Sequence, residues 1–457
     1  MPESRDYPRL ELFERWQIRD GMPINAECWQ HAHTYHRHRQ NFHYQSLYEP
    51  GIVYGLGVAV VPDQPDGRLL QVQPGVAIDI AGNPIIVQSP EEFRLTSAPN
   101  DGQALVVYLV VNYVDPDDLR LNLTAKTQYE SFRIVEKLHL DPQDIELCRI
   151  DLQAGVTQLQ APTNVFAPSW NQLDFRDRRQ PQPQPQLRVR VGLVTDESPD
   201  SLTQNGFTDL LRSLPGLYPT LHADSTLQTF SAQALGREFT LDCQLLHIPY
   251  HVLLALPNPA IQRLQSFLAR GGIVLAVADF DAVDLLDLLD IGQELRLGLL
   301  EAERDRDLFN QTGIQLQQEI TANQSAITEQ ITTVKQSIAA IASRLGVSST
   351  EPGELSNAHP LQWQPFTFSQ LPTYQGHPII LKNWDGLVLM LGDLTRCWSH
   401  SASPPIPRET LRSAQEWGIN LLHFAAQRQQ WTQALIPITI PPDDHPDSLQ
   451  RRVSTEL

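Results

Sequence analysis

Apolar and polar residues alternate over short stretches in the first part of the chain. The segments RLLQVQPGVAIDIAGNPIIVQ and EFRLTS show this alternation, and turn-forming residues interrupt it at Pro74-Gly75 and Gly82-Asn83-Pro84. Such a pattern is typical of short antiparallel strands joined by tight turns. The apolar run ALVVYLVVNYV predicts the central strand of the same unit. We therefore predict a small β-rich domain at residues 51–175.

A stretch with a helical pattern precedes these strands. From Leu10 to about Leu47 the chain carries many long side chains, and between Pro23 and Pro50 it contains neither glycine nor proline. This composition predicts one helix, which the Pro50-Gly51 pair would end. The N-terminal helical segment therefore covers residues 1–50.

The pattern changes again after the β-rich domain. RDRRQPQPQPQ alternates proline with glutamine, which favours extended backbone and predicts a linker at residues 176–186. Beyond it, strand-like segments such as LRVRVGLVTD and IVLAVADFD alternate with helix-like segments such as AIQRLQSFLARGG. Strands that alternate with helices pair in parallel through right-handed crossovers. We predict a flavodoxin-like or Rossmann-like domain at residues 187–300 and 347–440, followed by a polar tail at residues 441–457.

Apolar residues repeat every seven positions between the two parts of this domain. Such a repeat predicts a helical coiled-coil arm, inserted at residues 301–346. Few charges flank the seam, so charge pairing would not fix its partner, and the arm either folds back as a hairpin or pairs with another chain. The predicted oligomerisation residues are Ile320, Ile327, Ile331, Val334, Ile338, Ile341 and Leu345. The overall expectation is a fold of class α/β plus β.

Charge and hydropathy restrict the partners. The 34 Lys and Arg residues are outnumbered by 53 Asp and Glu residues, which gives a net charge of -19 and argues against a nucleic-acid partner.

No apolar run reaches the length of about 18 residues that a membrane helix needs. The N-terminus MPESRDYPRLELFERW carries charges where a signal peptide would be apolar. We expect a cytoplasmic protein whose partners are other protein subunits, including a second copy through the arm.

Motifs of known chemistry are missing from the sequence. The four cysteines form no CxxC pair, and no GxxxxGK[ST], GxGxxG or GxSxG motif occurs. Buried, reduced thiols are the expected state of the cysteines. We therefore predict no enzyme activity and no cofactor.

Three aspartates form the sharpest candidate site. Asp196, Asp279 and Asp393 each end a predicted strand, and ligands of open α/β sheets bind at the carboxyl ends of strands. Together they could hold Mg²⁺ and activate water for hydrolysis. Alternatively, each aspartate caps the helix that follows it.

Histidines form a second candidate site in the N-terminal segment. On a helix, pairs among His33, His36 and His43 could share a face and bind zinc or nickel. Arg37 and Arg39 would oppose a bound cation. Packing and hydrogen bonding are the alternative roles.

Two parts of the chain resemble known families. HRHRQNFHYQSLYEPGIVYGLGV, followed by VQPGVAIDIAGNPIIV, resembles baseplate components of contractile phage-tail-like injection systems over residues 30–90. The shared turn contains Pro74, Gly75, Ala77, Ile78, Asp79 and Gly82. The chain has Tyr48-Glu49-Pro50-Gly51 where many relatives have His-Gly-Trp-Gly. The resemblance implies an architectural role.

The second half resembles an uncharacterised prokaryotic family, the domain of unknown function four-one-five-nine. LARGGIVLAVADFD, HPLQWQPFTFSQLP, GLVLMLGDLTRCW and AQEWGINLLHFA carry the likeness, which covers residues 187–440. It implies the fold of class I glutamine amidotransferases. Their chemistry needs a cysteine on a strand-to-helix elbow, and LLHIPYHVLLALPN supplies none. The first hypothesis is therefore a non-catalytic structural or adaptor protein, and the second is a metal-dependent hydrolase or ligand-sensing domain that uses the three aspartates.

Overall fold

The computed structural model describes most of the chain and divides it into two compact units, Met1–Gln184 and Pro185–Leu457. The described residues are 12–62, 67–99, 103–115, 129–154, 158–185, 187–195, 201–224, 226–236, 241–304, 312–347, 359–399 and 405–437. The predicted tail at residues 441–457 and Asp196 lie outside these ranges.

The first unit contains a helix, α1 (Ala26–Leu47), and small antiparallel sheets. Its strands are β1 (Gly51–Gly55), β2 (Val58–Val60), β3 (Leu69–Val72), β4 (Gly75–Ile78), β5 (Pro84–Val87), β6 (Glu91–Arg94), β7 (Leu105–Val114), β8 (Ser131–Lys137), β9 (Ile145–Leu152) and β10 (Leu173–Asp174). Their orders are β1-β4-β5, β2-β3-β6 and β10-β9-β7-β8. The antiparallel pairing and the internal position of β7 agree with the alternating pattern of the sequence.

Alternating burial explains these strands. In β3 and β5 every second residue is buried, so one face of each strand contributes to a shared apolar core. Leu70, Leu109 and Ile150 are fully buried in that core. The core therefore forms from the inward faces of several short strands.

Helix α1 is shorter than predicted. It begins at Ala26, after Asn25, whose side-chain oxygen accepts a hydrogen bond from the Cys28 N–H at 2.9 Å. The prediction of a helix from Leu10 is wrong for residues 12–25, because Gly21 takes a positive φ of 82° and Pro23 has no N–H to donate.

The proline and glutamine run packs onto the first unit. Glu49 donates its N–H to the carbonyl of Gln182, and Gln184 donates its N–H to the carbonyl of Leu47, each at 2.7 Å. Extended backbone suits this pairing, since it leaves peptide groups available to a neighbouring segment. The composition that predicted a linker did not predict these contacts.

The second unit is a mixed α/β structure around a largely parallel sheet. Its strands are β11 (Leu187–Val189), β12 (Val191–Thr195), β13 (Leu221–Ala223), β14 (Gln228–Ser231), β15 (Leu245–Pro249), β16 (Ile273–Ala278), β17 (Thr373–Tyr374), β18 (His377–Pro378), β19 (Ile380–Trp384) and β20 (Leu387–Leu391). Its helices are α2 (Ser201–Leu217), α3 (Tyr250–Leu254), α4 (Asn258–Ala269), α5 (Leu286–Arg304), α6 (Ile314–Arg344), α7 (Pro360–Trp363) and α8 (Arg408–Ala434).

The main sheet has the order β14-β12-β15-β16-β20-β19. Its first five strands are parallel, and β19 is antiparallel to β20. All residues of β16 and β20 are buried, which explains why their sequences are continuous apolar runs. Because β16 precedes α5 and α6 and β20 follows them, the two helices are an insertion between neighbouring strands.

Helices α5 and α6 pack against each other. Asn323 of α6 donates its side-chain N–H to the carbonyl of Leu288 in α5 at 3.0 Å. The predicted insertion began at residue 301 and therefore missed α5 as a partner for the heptad repeat.

None of the described helices is long and apolar enough to cross a membrane.

The heptad residues of α6 face their own chain at the C-terminal end of the helix. Val334, Ile338, Ile341 and Leu345 are buried in the core of the second unit. Ile327 and Ile331 are half-buried and pack against that core, and Ile320 is half-buried. The four buried side chains are therefore covered without a second chain.

Candidate functional site

Two of the three predicted aspartates meet at one edge of the parallel sheet. Asp279 directly follows β16, and Asp393 follows β20 after Gly392. Since β16 and β20 are neighbouring parallel strands, their carboxyl ends lie side by side. The third predicted residue, Asp196, is outside the described residues.

A guanidinium group lies between the two carboxylates. Arg396 Nε is 2.9 Å from Asp393 Oδ2, and Arg396 Nη1 is 3.6 Å from Asp279 Oδ2. Arg396 comes from a short 3-10 turn, Leu394–Trp398, that begins directly after Asp393. Its positive charge compensates the negative charges of both carboxylates. A bound metal cation would provide the same compensation.

Each carboxylate also accepts hydrogen bonds. Tyr374 donates its hydroxyl to Asp279 Oδ2 at 3.0 Å, and Thr395 donates its backbone N–H to Asp393 Oδ1 at 3.2 Å. The Thr395 hydroxyl contacts the same Asp393 oxygen. Asp393 thus caps the 3-10 turn, which is the alternative role that the sequence left open for it.

Electrostatics keep the Tyr374 phenol protonated. Burial, and after it the negative charges of Asp279 and Asp393, raise the pKa of Tyr374 above its usual range. The phenol is therefore a hydrogen-bond donor to Asp279 at neutral pH. The other carboxylate oxygen of Asp279, Oδ1, is buried and accepts no hydrogen bond from any described residue.

This donor set suits hydrogen bonding better than metal binding. Among the described residues, no group of three or more His, Cys, Asp or Glu side chains could hold a metal ion. Arg396 pairs with both carboxylates. The two aspartates therefore offer few free oxygens to a divalent cation. Asp279 Oδ1 is the one carboxylate oxygen of the pair that lacks a donor among the described residues, and it is buried.

The predicted histidine site is not assembled. His33, His36 and His43 are exposed on α1, and their rings contact neighbouring aromatic side chains such as Trp29, which stacks on His33 at 6.0 Å. His43 lies two helical turns beyond His36, a rise of about 10 Å, so one ion cannot bind both. The prediction considered only which face of the helix the histidines share, and it ignored the rise along the helix axis.

The buried cysteines are unsuited to nucleophilic chemistry. Burial raises the pKa of Cys148 and of Cys243 to about 12, and the pKa of Cys397 to about 11. A nucleophilic cysteine needs a lowered pKa, because the thiolate is the reactive form. None of these three thiols supplies it near neutral pH.

No protein family model, curated protein or solved structure matches the chain.

A group of six exposed apolar side chains lies between residues 12 and 29 of the first unit. We call it the N-terminal apolar strip, which consists of Leu12, Phe13, Trp16, Ile18, Ile24 and Trp29. Leu12 is 84% exposed and Trp29 is 60% exposed. Residues 12–25 lie against α1, since Phe13 contacts Phe42 with ring centroids 5.4 Å apart. The sequence-based search for histidine ligands overlooked this strip, although its aromatic residues were the signal.

Helix α1 beside the strip is unusual in burial and in charge. None of its residues is buried. Residues 28–48 include Arg37, Arg39 and five histidines but no Asp or Glu. Arg37 pairs with Asp115 at 3.0 Å, and the Arg39 guanidinium lies over the Tyr35 ring at 5.9 Å. The N-terminal surface is therefore apolar, and its charges nearly balance: residues 12–48 carry four arginines and the exposed carboxylates Glu14, Asp20 and Glu27.

Proposed function

We propose that the chain is a non-catalytic structural or adaptor protein that mediates protein-protein assembly. The N-terminal apolar strip is the observation that supports this function. Soluble monomers rarely expose contiguous large apolar patches, and exposed tryptophans are common anchors at interfaces. Trp16 and Trp29 are the proposed anchors.

The charge of α1 indicates the chemistry of the partner. Residues 28–48 carry Arg39 and exposed histidines but no acidic side chain, and Glu27 and Glu49 lie at their two ends, so we propose that the middle of α1 faces an acidic protein surface. Association would then weaken as the salt concentration rises.

A baseplate-like role is the finer form of the proposal. The turn that carries the resemblance has an architectural use, because Asp79 accepts the Asn83 N–H at 2.7 Å and the side-chain amides of Asn83 and of Asn41 in α1 are in hydrogen-bond contact at 2.6 Å. The turn thereby holds α1 on the sheet β1-β4-β5. This use supports a structural function for the motif.

The second unit would serve as a flavodoxin-like scaffold. Numbered along the chain, its five parallel strands have the spatial order 2-1-3-4-5, which is the flavodoxin-like order. The helices α5 and α6 would form the coiled-coil arm as a hairpin.

Site-specific photo-cross-linking in the native cells tests the assembly function. A photoreactive residue at Trp29 is expected to cross-link to one defined protein, at a site rich in acidic residues, and Trp16→Ser should reduce the yield about tenfold or more. Trp431 is the matched control, since it is also 60% exposed. Equal cross-linking from both positions would contradict the proposal.

A ligand-sensing or metal-dependent hydrolytic role is the second candidate. The unpaired Asp279 Oδ1 atom favours it. Millimolar Mg²⁺ is expected to leave the Tm of the wild-type protein unchanged, because Arg396 compensates both carboxylates, and to raise the Tm of Arg396→Gln. Arg412→Gln, which removes an exposed arginine paired with Glu416, is the control. A Mg²⁺-dependent rise in the wild-type Tm would instead favour the metal-dependent role.

A further inference from the structure

Helix α5 carries a seam of side chains that it does not bury against α6. Leu286, Leu289, Gln293, Leu297 and Leu300 follow one another at spacings of three and four residues, so they share one face of the helix. Leu286 and Leu289 pack against the core of the second unit. Further along the same face, Leu297 is 54% exposed and Leu300 is 56% exposed.

The contacts with α6 lie on another face of α5. A Cβ atom placed on Gly298 would lie 3.9 Å from the Leu316 side chain of α6, and Gly292 faces Asn323. In a helix, residue 298 points about 100° away from residue 297. The hairpin partner therefore leaves the exposed leucines uncovered.

Charges beside the leucines are complementary for a second copy of the same helix. Arg296 precedes Leu297, and Glu301 follows Leu300, so the two charges flank the seam on opposite sides. In a parallel pair related by a two-fold axis, Arg296 of each copy faces Glu301 of the other. An antiparallel pair would set Glu294 against Glu301, and this repulsion would offset the attraction between Arg296 and Glu303, so the charges favour the parallel pair.

We propose that α5 is a self-association surface, on which the exposed leucines of two copies pack in a parallel pair flanked by two Arg296–Glu301 ion pairs. This inference deepens the proposed assembly function by naming one partner, a second copy of this chain. It moves self-association from the heptad residues of α6, four of which are buried, to the neighbouring helix. The interface is small, so association should be weak and concentration-dependent.

Sedimentation equilibrium of the full chain over a wide concentration range tests the proposal. The wild-type protein is expected to form dimers, and Leu297→Lys is expected to weaken dimerisation about tenfold or more. Leu435→Lys is the matched control, because Leu435 is also an exposed leucine but lies at the end of α8, outside the seam. It should leave dimerisation unchanged.

Charge reversal separates the proposed pairing from general apolar association. Arg296→Glu alone and Glu301→Arg alone should each weaken the dimer, whereas the double variant should restore it, because the pair is regenerated with opposite orientation. Leu297→Cys, combined with Cys28→Ser to remove the partly exposed native thiol, should form a disulfide with its own equivalent in a parallel dimer. Circular dichroism of each variant confirms that the helix content is unchanged.

The outcomes distinguish the two surfaces. A wild-type protein that stays monomeric at all concentrations, or a dimer that Leu297→Lys leaves intact, would overturn the α5 proposal without affecting the cross-link at Trp29. A dimer that Trp29→Ser abolishes and Leu297→Lys leaves intact would place self-association on the N-terminal apolar strip instead.

Discussion

Replacing Gly206 with alanine is expected to lower the free energy of unfolding of the second unit by about 3 kcal/mol. Gly206 lies inside α2, where that helix packs against the 3-10 turn after Asp393. A Cβ atom at this position would collide with the carbonyl oxygen of Thr395 and lie 3.0 Å from its carbonyl carbon. Both are backbone atoms, and Thr395 is fully buried. A methyl group at residue 206 can therefore fit only if the backbone of the 3-10 turn or of α2 shifts.

Gly216 is the matched control on the same helix. A Cβ atom there would meet no heavy atom within 4 Å. Alanine is the better helix former by about 1 kcal/mol in a helix interior, so Gly216→Ala should be neutral or slightly stabilising. Urea unfolding followed by circular dichroism measures both changes. Equal effects of the two substitutions would mean that the close approach at Gly206 does not determine stability.

The Gly206 contact also links stability to the candidate site. Thr395 contacts Asp393 through its N–H and its hydroxyl, and Arg396 follows directly. A displaced turn would therefore move both the carboxylate and the guanidinium. The glycine in α2, which is unfavourable for a helix in isolation, is explained by this packing.

Local patterns in the sequence predicted the strands but only part of the site. Asp279 and Asp393 were predicted because each follows an apolar strand-like run, and parallel pairing brings their strand ends together. Arg396 lies three residues after Asp393, and this spacing was an available signal. Tyr374 is 95 residues from Asp279 in the chain, so no local pattern could predict their hydrogen bond.

The heptad repeat shows a similar limit. Its period predicts a helix with an apolar seam, but not which surface covers the seam. Asn323 occupies a buried position opposite Gly292, and its side chain donates to the Leu288 carbonyl. A buried polar residue of this kind favours one register of a helix pair. The choice of α5 as partner depends on such contacts between distant residues rather than on the repeat.

Replacing Asn420 with leucine is expected to destabilise the second unit by about 3 to 5 kcal/mol, because it leaves buried backbone groups without hydrogen-bond partners. Asn420 lies in α8 and is fully buried. Its Oδ1 accepts the Phe366 N–H at 2.9 Å, and its Nδ2 donates to the carbonyls of Leu361 and Phe366 at 3.2 and 2.7 Å. One side chain therefore pairs three peptide groups of the segment around α7.

Leucine has a similar volume but can pair none of these groups, so the loss exceeds that of a surface substitution. Gln430→Leu on the exposed side of α8 is the control and should change stability by no more than about 0.5 kcal/mol. Hydrogen exchange gives a local measurement: the Phe366 amide should exchange faster in Asn420→Leu than in the wild-type protein. Unchanged protection of that amide would mean that α7 is held by its apolar contacts, with Leu361 fully buried, rather than by Asn420.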